Sequence, residues 1–104
     1  MLAVIRSDSQ DTVHYYKSKV FADAANFFNT RGIAYGEQGR YPLAINDFNK
    51  AIRLKSDYVA AYNNRGTTYL LHGDNELGCK DAQKACDGGI CTALKMAKGN
   101  GLCR

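Results

Sequence analysis

Four cysteines are the most reactive side chains of this 104-residue chain, and all of them lie in its C-terminal quarter. The intervals between them are longer than the short C-x2-C pairs that structural zinc sites favour. Because no C-x-x-C motif is present, thiol redox catalysis is not indicated either. Two main alternatives follow: disulfide bonds, or reduced cysteines that pack as small hydrophobic residues. The cysteines are Cys79, Cys86, Cys91 and Cys103.

The two histidines, His14 and His72, give no second reactive site. His72 lies beside Asp74 in the segment LLHGDN, but we expect no serine or cysteine near it, so no catalytic dyad is indicated. Glycine-rich phosphate loops, H-E-x-x-H helices and EF-hand loops do not occur. The sequence therefore predicts no enzyme, no metal site and no cofactor.

Composition predicts one small globular domain, with 45% hydrophobic and 23% charged residues and a net charge of +4. The basic residues are scattered, which argues against a nucleic-acid surface. No apolar run approaches the length that a membrane-spanning helix needs, so membrane insertion is not expected. The initial MLAVI segment does not have the features of a signal peptide, which predicts a cytoplasmic protein. A periplasmic or exported protein is the alternative if the cysteines form disulfides.

An internal repeat organises most of the chain. Aligning the segment from Ala25 with the segment from Val59 gives nine identities. They pair Asn29 with Asn63, Arg31 with Arg65, Gly32 with Gly66, Tyr35 with Tyr69, Gly39 with Gly73, Leu43 with Leu77, Asp47 with Asp81, Lys50 with Lys84 and Ala51 with Ala85. A fixed period of this length is typical of a solenoid.

The repeated positions resemble the tetratricopeptide repeat family. The first copy carries Phe28, Gly32, Tyr35, Gly39, Tyr41, Ala44, Phe48 and Ala51, with Ser56 where proline is usual. The second carries Tyr62, Gly66, Tyr69, Gly73 and Ala85, and departs from the pattern at Asn75, Gly78 and Ala82. The resemblance implies an all-α solenoid built from antiparallel helix pairs.

We divide the chain into four segments on this basis. Residues 25–58 and 59–89 form the two repeats, and residues 90–104 form a capping helix and tail. Residues 1–24 are an extension that reads as helical from Ser9, either as a separate cap or as a continuation of the first repeat helix. The continuous form would expose an apolar stripe for pairing with another chain, so we expect a homo-oligomer.

An arginine and an aspartate recur together in the two copies. The interval from Arg31 to Asp47 equals the interval from Arg65 to Asp81, which predicts an ion pair inside each repeat. The alternative is that both arginines are presented to a ligand.

The cysteines fit the same scheme. A hairpin at Gly88 would bring Cys86 to Cys91, and the returning tail would bring Cys103 to Cys79. These two bonds are one of three connectivities.

Tetratricopeptide repeats use the concave surface formed by the first helix of each repeat to bind peptides or partner proteins, and the resemblance implies the same here. By position this surface comprises Asn26, Asn29, Thr30, Ile33 and Glu37 from the first copy, and Asn63, Asn64, Thr67, Leu70 and Leu71 from the second. The predicted function is a protein-interaction module. The alternative is a self-assembly module whose groove is filled by its own or a neighbour's N-terminal helix.

Overall fold

The computed structural model describes the backbone of residues 2–104 and the side chains of residues 17–104. Five helices and no strand occur within that range: α1 (Leu2–Glu37), α2 (Tyr41–Leu54), α3 (Val59–His72), α4 (Asn75–Asp87) and α5 (Thr92–Gly99). The all-α repeat fold predicted from the sequence is confirmed.

Two antiparallel helix pairs form the repeats. The C-terminal half of α1 packs against α2, α3 packs against α4, and α2 joins the pairs by packing on α3. Glycines with positive φ close both hairpins, Gly39 at 75° and Gly73 at 95°. Such a backbone is strained for residues that carry a Cβ, which explains why glycine recurs at this position of both repeats.

Helix α1 is 36 residues long and gives the molecule its largest dimension, 64 Å. It begins at Leu2 rather than near Ser9, and it continues without a break through residues 24 and 25. The N-terminal extension is therefore continuous with the first repeat helix. Because it points away from the repeats, it does not fold back over its own chain. The version of the self-assembly alternative that relied on such a contact is wrong.

The two repeats fill their cores differently. In the first, Phe48 packs on Gly32 so closely that a Cβ at Gly32 would lie 2.7 Å from its ring. The second repeat has Ala82 at the position of Phe48, and there α3 and α4 approach through Gly66, whose Cβ would lie 3.0 Å from the Ala82 nitrogen. The second repeat thus exchanges an aromatic contact for a close backbone crossing.

Leu70 explains why the second repeat departs from the family pattern at Gly78. It covers Gly78 so closely that a Cβ at Gly78 would lie 2.6 Å from Leu70 Cγ. The first repeat has the opposite arrangement, with Gly36 on the first helix and Ala44 on the second. The larger residue has moved from one helix to the other, and the space between the helices stays filled.

Candidate functional site

A groove between α1 and α3 brings together half of the residues predicted for the concave surface. It has a volume of about 280 Å³. Gly36 and Thr68, which the sequence does not predict for this surface, also line the groove. Helical spacing could have indicated both residues, because Gly36 lies one turn after the predicted residue Ile33 and Thr68 lies one turn after Asn64. The predicted residues in the groove are Ile33, Glu37, Asn64, Thr67 and Leu71.

Two exposed aliphatic side chains form the apolar part of this groove. Ile33 on α1 is 39% exposed and Leu71 on α3 is 59% exposed. Isolated exposed aliphatic residues are common, but two that line one concave surface provide apolar area that a ligand can bury. The groove can therefore hold an aliphatic side chain between the first helices of the two repeats.

Polar groups with free hydrogen-bonding capacity flank the apolar part. Asn64 Nδ2 donates to Asn29 Oδ1 at 3.0 Å, and no described donor bonds to the Asn64 side-chain oxygen. The Thr67 hydroxyl donates to the Asn63 backbone oxygen at 3.0 Å and keeps its lone pairs as acceptors. Glu37 is exposed and forms no ion pair within residues 17–104. The groove thus offers acceptors and one negative charge.

Leu70 does not belong to this surface. It is 6% exposed and lies in the core between α3 and α4, where it covers Gly78. Its prediction as a binding residue is wrong, because the glycine at position 78 leaves room for the side chain in the interior. The next residue, Leu71, is exposed and lines the groove instead.

The side chain of Asn63 forms hydrogen bonds with the C-terminal helix. Its Oδ1 accepts from the Ala93 backbone nitrogen at 3.1 Å and from the Thr92 hydroxyl at 3.3 Å, while its Nδ2 donates to the same hydroxyl at 3.0 Å. Cys91, the residue before α5, makes no capping bond with its side chain. Asn63 therefore supplies from α3 the acceptor that the first turn of α5 requires.

The three remaining predicted residues lie outside the groove. Asn29 is 8% exposed and is bonded to Asn64. Asn26 accepts a hydrogen bond from the Tyr58 hydroxyl at 2.7 Å. Thr30 is exposed on α1. Both asparagines connect the first repeat to α3 or to the turn before it, so their amides serve the joint between repeats.

Each repeat contains an arginine bonded to an aspartate with two hydrogen bonds. Arg31 donates to Asp47 at 2.8 and 2.9 Å, and Arg65 donates to Asp81 at 2.7 and 2.9 Å. Arg65 also donates to Asn49 Oδ1 at 2.8 Å, which ties α3 to the preceding repeat. These bonds to the aspartates raise the pKa of both guanidinium groups.

Aromatic rings surround the same arginines. Arg31 lies 5.2 Å from the Phe27 ring centroid and 5.6 Å from that of Phe28, and Arg65 lies 5.4 Å from that of Tyr62. A lysine covers each repeat's aromatic residue from the second helix: Lys50 lies over Phe28 and Lys84 over Tyr62. Both guanidinium groups are thus held by carboxylates and rings of their own repeat. This arrangement favours the structural interpretation over presentation to a ligand.

The cysteines form two disulfide bonds, Cys79–Cys103 and Cys86–Cys91. They fasten α5 and the C-terminal tail to α4. Helix α5 begins at Thr92, shortly after the start of the predicted capping segment, and buries Ala93, Leu94 and Ala97. This segment covers the end of the solenoid, where a third repeat would otherwise pack.

The described residues contain neither a cluster suited to a metal ion nor a helix suited to spanning a membrane. No group of three or more His, Cys, Asp or Glu side chains is arranged to hold a metal ion in the part of the chain that the structure describes. None of the helices described combines the length and the apolar character that crossing a bilayer requires. His72 is exposed, and its ring lies edge-on to Tyr41, with 5.9 Å between centroids.

Two stacked helix pairs at a fixed interval, with a concave groove along their first helices, define an α-solenoid repeat module. Comparisons with known proteins give the particular family. The model of a family described as TPR repeat matches residues 32–73. These residues belong to the tetratricopeptide repeat family.

Two relatives carry the same family name. Tetratricopeptide repeat protein 36 of Danio rerio is 32% identical over 74 residues, which is 71% of this chain and 36% of the relative. Its homolog in Nematostella vectensis is 33% identical over 63 residues, which is 61% of this chain and 35% of the relative. The chain thus matches only about a third of the length of these relatives.

Proposed function

We propose that this chain binds a peptide segment of a partner protein in the groove between α1 and α3. Tetratricopeptide repeats are protein-interaction modules, and the groove is the part of this chain suited to that task. The observation that carries the proposal is the pairing of exposed Ile33 and Leu71 with free acceptors on Asn64 and Thr67. A peptide would place an aliphatic side chain against Ile33 and Leu71. Its backbone would donate hydrogen bonds to Asn64 and Thr67.

The test begins with selection of peptides from a random library on the immobilised full chain. Binding of a selected peptide is then measured by calorimetry for the wild type and for Leu71→Asp. We expect at least a tenfold loss of affinity, because a charge replaces the apolar contact. Leu77→Asp is the matched control, since Leu77 is 49% exposed but lies on α4, outside the groove.

Peptides whose affinity is the same for the wild type and Leu71→Asp would contradict the proposal. Asn29→Ala and Asn63→Ala are unsuitable for this test, although the sequence places both on the concave surface. They hold the repeats and α5 in position, so their loss would weaken binding through the fold.

The second candidate is self-assembly in which the N-terminal helix of a neighbouring copy fills this groove. Its support is that α1 extends far beyond the repeats, in the same chain that offers a groove to fill. Sedimentation of a variant lacking residues 1–16 tests it. An unchanged number of chains in the assembly would remove the candidate. A smaller number of chains, together with new peptide binding, would support it.

A further inference from the structure

We propose that two copies of this chain associate in antiparallel orientation through a second surface, the edge face of α1. The edge face consists of Val20, Phe27 and Ala34, which follow one another at a heptad interval and so lie along one side of the helix. None of these three residues lines the groove, although Glu37 at the end of α1 does, and the inference does not depend on peptide binding.

The equivalent face of the second repeat is buried. Ala61 and Thr68 on α3 occupy the positions of Phe27 and Ala34 one repeat later. They are 0% and 5% exposed, and they lie on the helix that packs on the first repeat. Thr68 faces α1, because its hydroxyl oxygen would lie 4.0 Å from a Cβ at Gly36. In the first repeat, by contrast, Phe27 is 56% exposed. The surface that buries one repeat against another is therefore uncovered on α1 among the described residues.

The preceding part of α1 does not cover this face. Between α2 and α3 the chain turns at residues 55–58, which allows α2 to pack beside α3. The equivalent residues 21–24 are helical, so the preceding segment continues along the axis of α1 and lies beyond the edge face rather than on it. That segment adds Val20, which is 61% exposed, to the uncovered apolar area.

A second copy is the occupant that the face fits best, because its pattern is self-complementary about Phe27. An interface with two-fold symmetry presents the same surface from both partners. With the axis near Phe27, antiparallel helices bring Val20 of one copy level with Ala34 of the other. The same arrangement brings Lys17 of each copy level with Glu37 of the other, since both lie equally far from Phe27 along the chain.

The charges select the antiparallel orientation. Lys17 and Lys19 lie near one end of this stretch and Glu37 at the other. Antiparallel helices place the basic end of each copy beside the acidic end of its partner, whereas parallel helices would place like charges together. The apolar contact between the copies comes from the face that packs one repeat against the next. The charges determine that the two helices are antiparallel.

Sedimentation equilibrium of the oxidised full chain tests the association. We expect the wild type to form a dimer at micromolar concentrations. Phe27→Asp should weaken the dimer by about thirtyfold or more, because two phenylalanine rings lose their burial. Leu77→Asp, with similar exposure but outside α1, should leave the mass unchanged. If Phe27→Asp loses its helical circular dichroism, Val20→Asp replaces it, because Val20 lies outside the repeat core.

Orientation is measured with a spin label at Lys17→Cys. Antiparallel helices with the axis near Phe27 separate the two labels by about 30 Å along the helix axis, whereas parallel helices place them about 10 Å apart. A monomeric wild type overturns the proposal. A dimer that survives Phe27→Asp but is dissociated by Leu71→Asp also overturns it, because the second copy would then occupy the groove.

Discussion

Replacing Asn63 with alanine should loosen the C-terminal helix, because this side chain bonds to α5 and does not itself line the peptide groove. The side chain of Asn63 provides the acceptor for the Ala93 backbone nitrogen at 3.1 Å and bonds twice to the Thr92 hydroxyl. Ala93 is 2% exposed, so water does not readily replace the lost acceptor. The change therefore removes a helix cap and leaves a buried donor unpaired.

The expected loss is about 1–2 kcal/mol of unfolding free energy, the range measured for lost caps and for unpaired buried amides. For a domain of this size that lowers the melting temperature by about 5–15 °C. Thermal unfolding followed by circular dichroism measures it. Hydrogen exchange should show the loss of protection concentrated in α5 (Thr92–Gly99).

Two further variants give this prediction its controls. Asn63→Asp keeps the acceptor and adds a negative charge at the N-terminus of α5, so it should retain most of the stability. Asn26→Ala removes an exposed hydrogen bond to Tyr58 and should cost about 0.5 kcal/mol or less. If Asn63→Ala and Asn26→Ala destabilise equally, Asn63 does not cap α5 and the reasoning is refuted.

Three other predictions concern stability. Reducing both disulfides should destabilise the chain by about 2–4 kcal/mol per bond, more for the sequence separation of 24 than for that of 5, as denaturant unfolding with and without a thiol reductant would show. Arg65→Leu should cost about 3–5 kcal/mol because Asp81 is left buried and unpaired, and a double variant that also carries Asp81→Leu should be more stable than this single variant. Gly36→Ala should stabilise by about 0.5–1 kcal/mol, because its Cβ would meet nothing nearer than 4.0 Å. Gly66→Ala should destabilise by about 1–3 kcal/mol, because its Cβ would lie 3.0 Å from backbone; equal melting temperatures for these two variants would contradict the packing argument.

The helices were predictable because their signals are local and repeated. Glycines at the turns, an apolar stripe at helical spacing and a regular repeat period together indicate two helix pairs. The length of α1 was less accessible. The sequence contains neither Gly nor Pro before Gly32, so nothing interrupts a helix there, but it equally allowed a separate cap.

Residue placement in the second repeat could not be read from the register alone. The family pattern assigns Leu70 to the concave surface by its position on the first helix of the second repeat, and its repeat equivalent, Gly36, does line the groove. Its burial depends on Gly78, on a different helix, having no side chain. A repeat pattern that considers one position at a time does not show that the larger residue has moved from the second helix to the first. Comparing Gly36 and Ala44 with Leu70 and Gly78 as pairs would have indicated it.

The asparagines show why equivalent positions need not share a function in this solenoid. Asn29 accepts from Asn64, whereas its equivalent Asn63 accepts from the backbone of Ala93. Asn49 accepts from Arg65 across the same joint between repeats. Polar residues that recur on the concave side are thus mostly used to join each unit to the next.

What remains for a ligand is therefore mainly aliphatic. Ile33 and Leu71 are not equivalent in the repeat, since Leu71 corresponds to Glu37, yet the structure places all three along one groove. A ligand that crosses from α1 to α3 meets an isoleucine and a carboxylate on one wall and a leucine on the other. Because the amides of Asn29 and Asn63 are already bonded within the fold, selectivity in this groove should depend on aliphatic fit and on the charge of Glu37 more than on asparagine contacts to a peptide backbone.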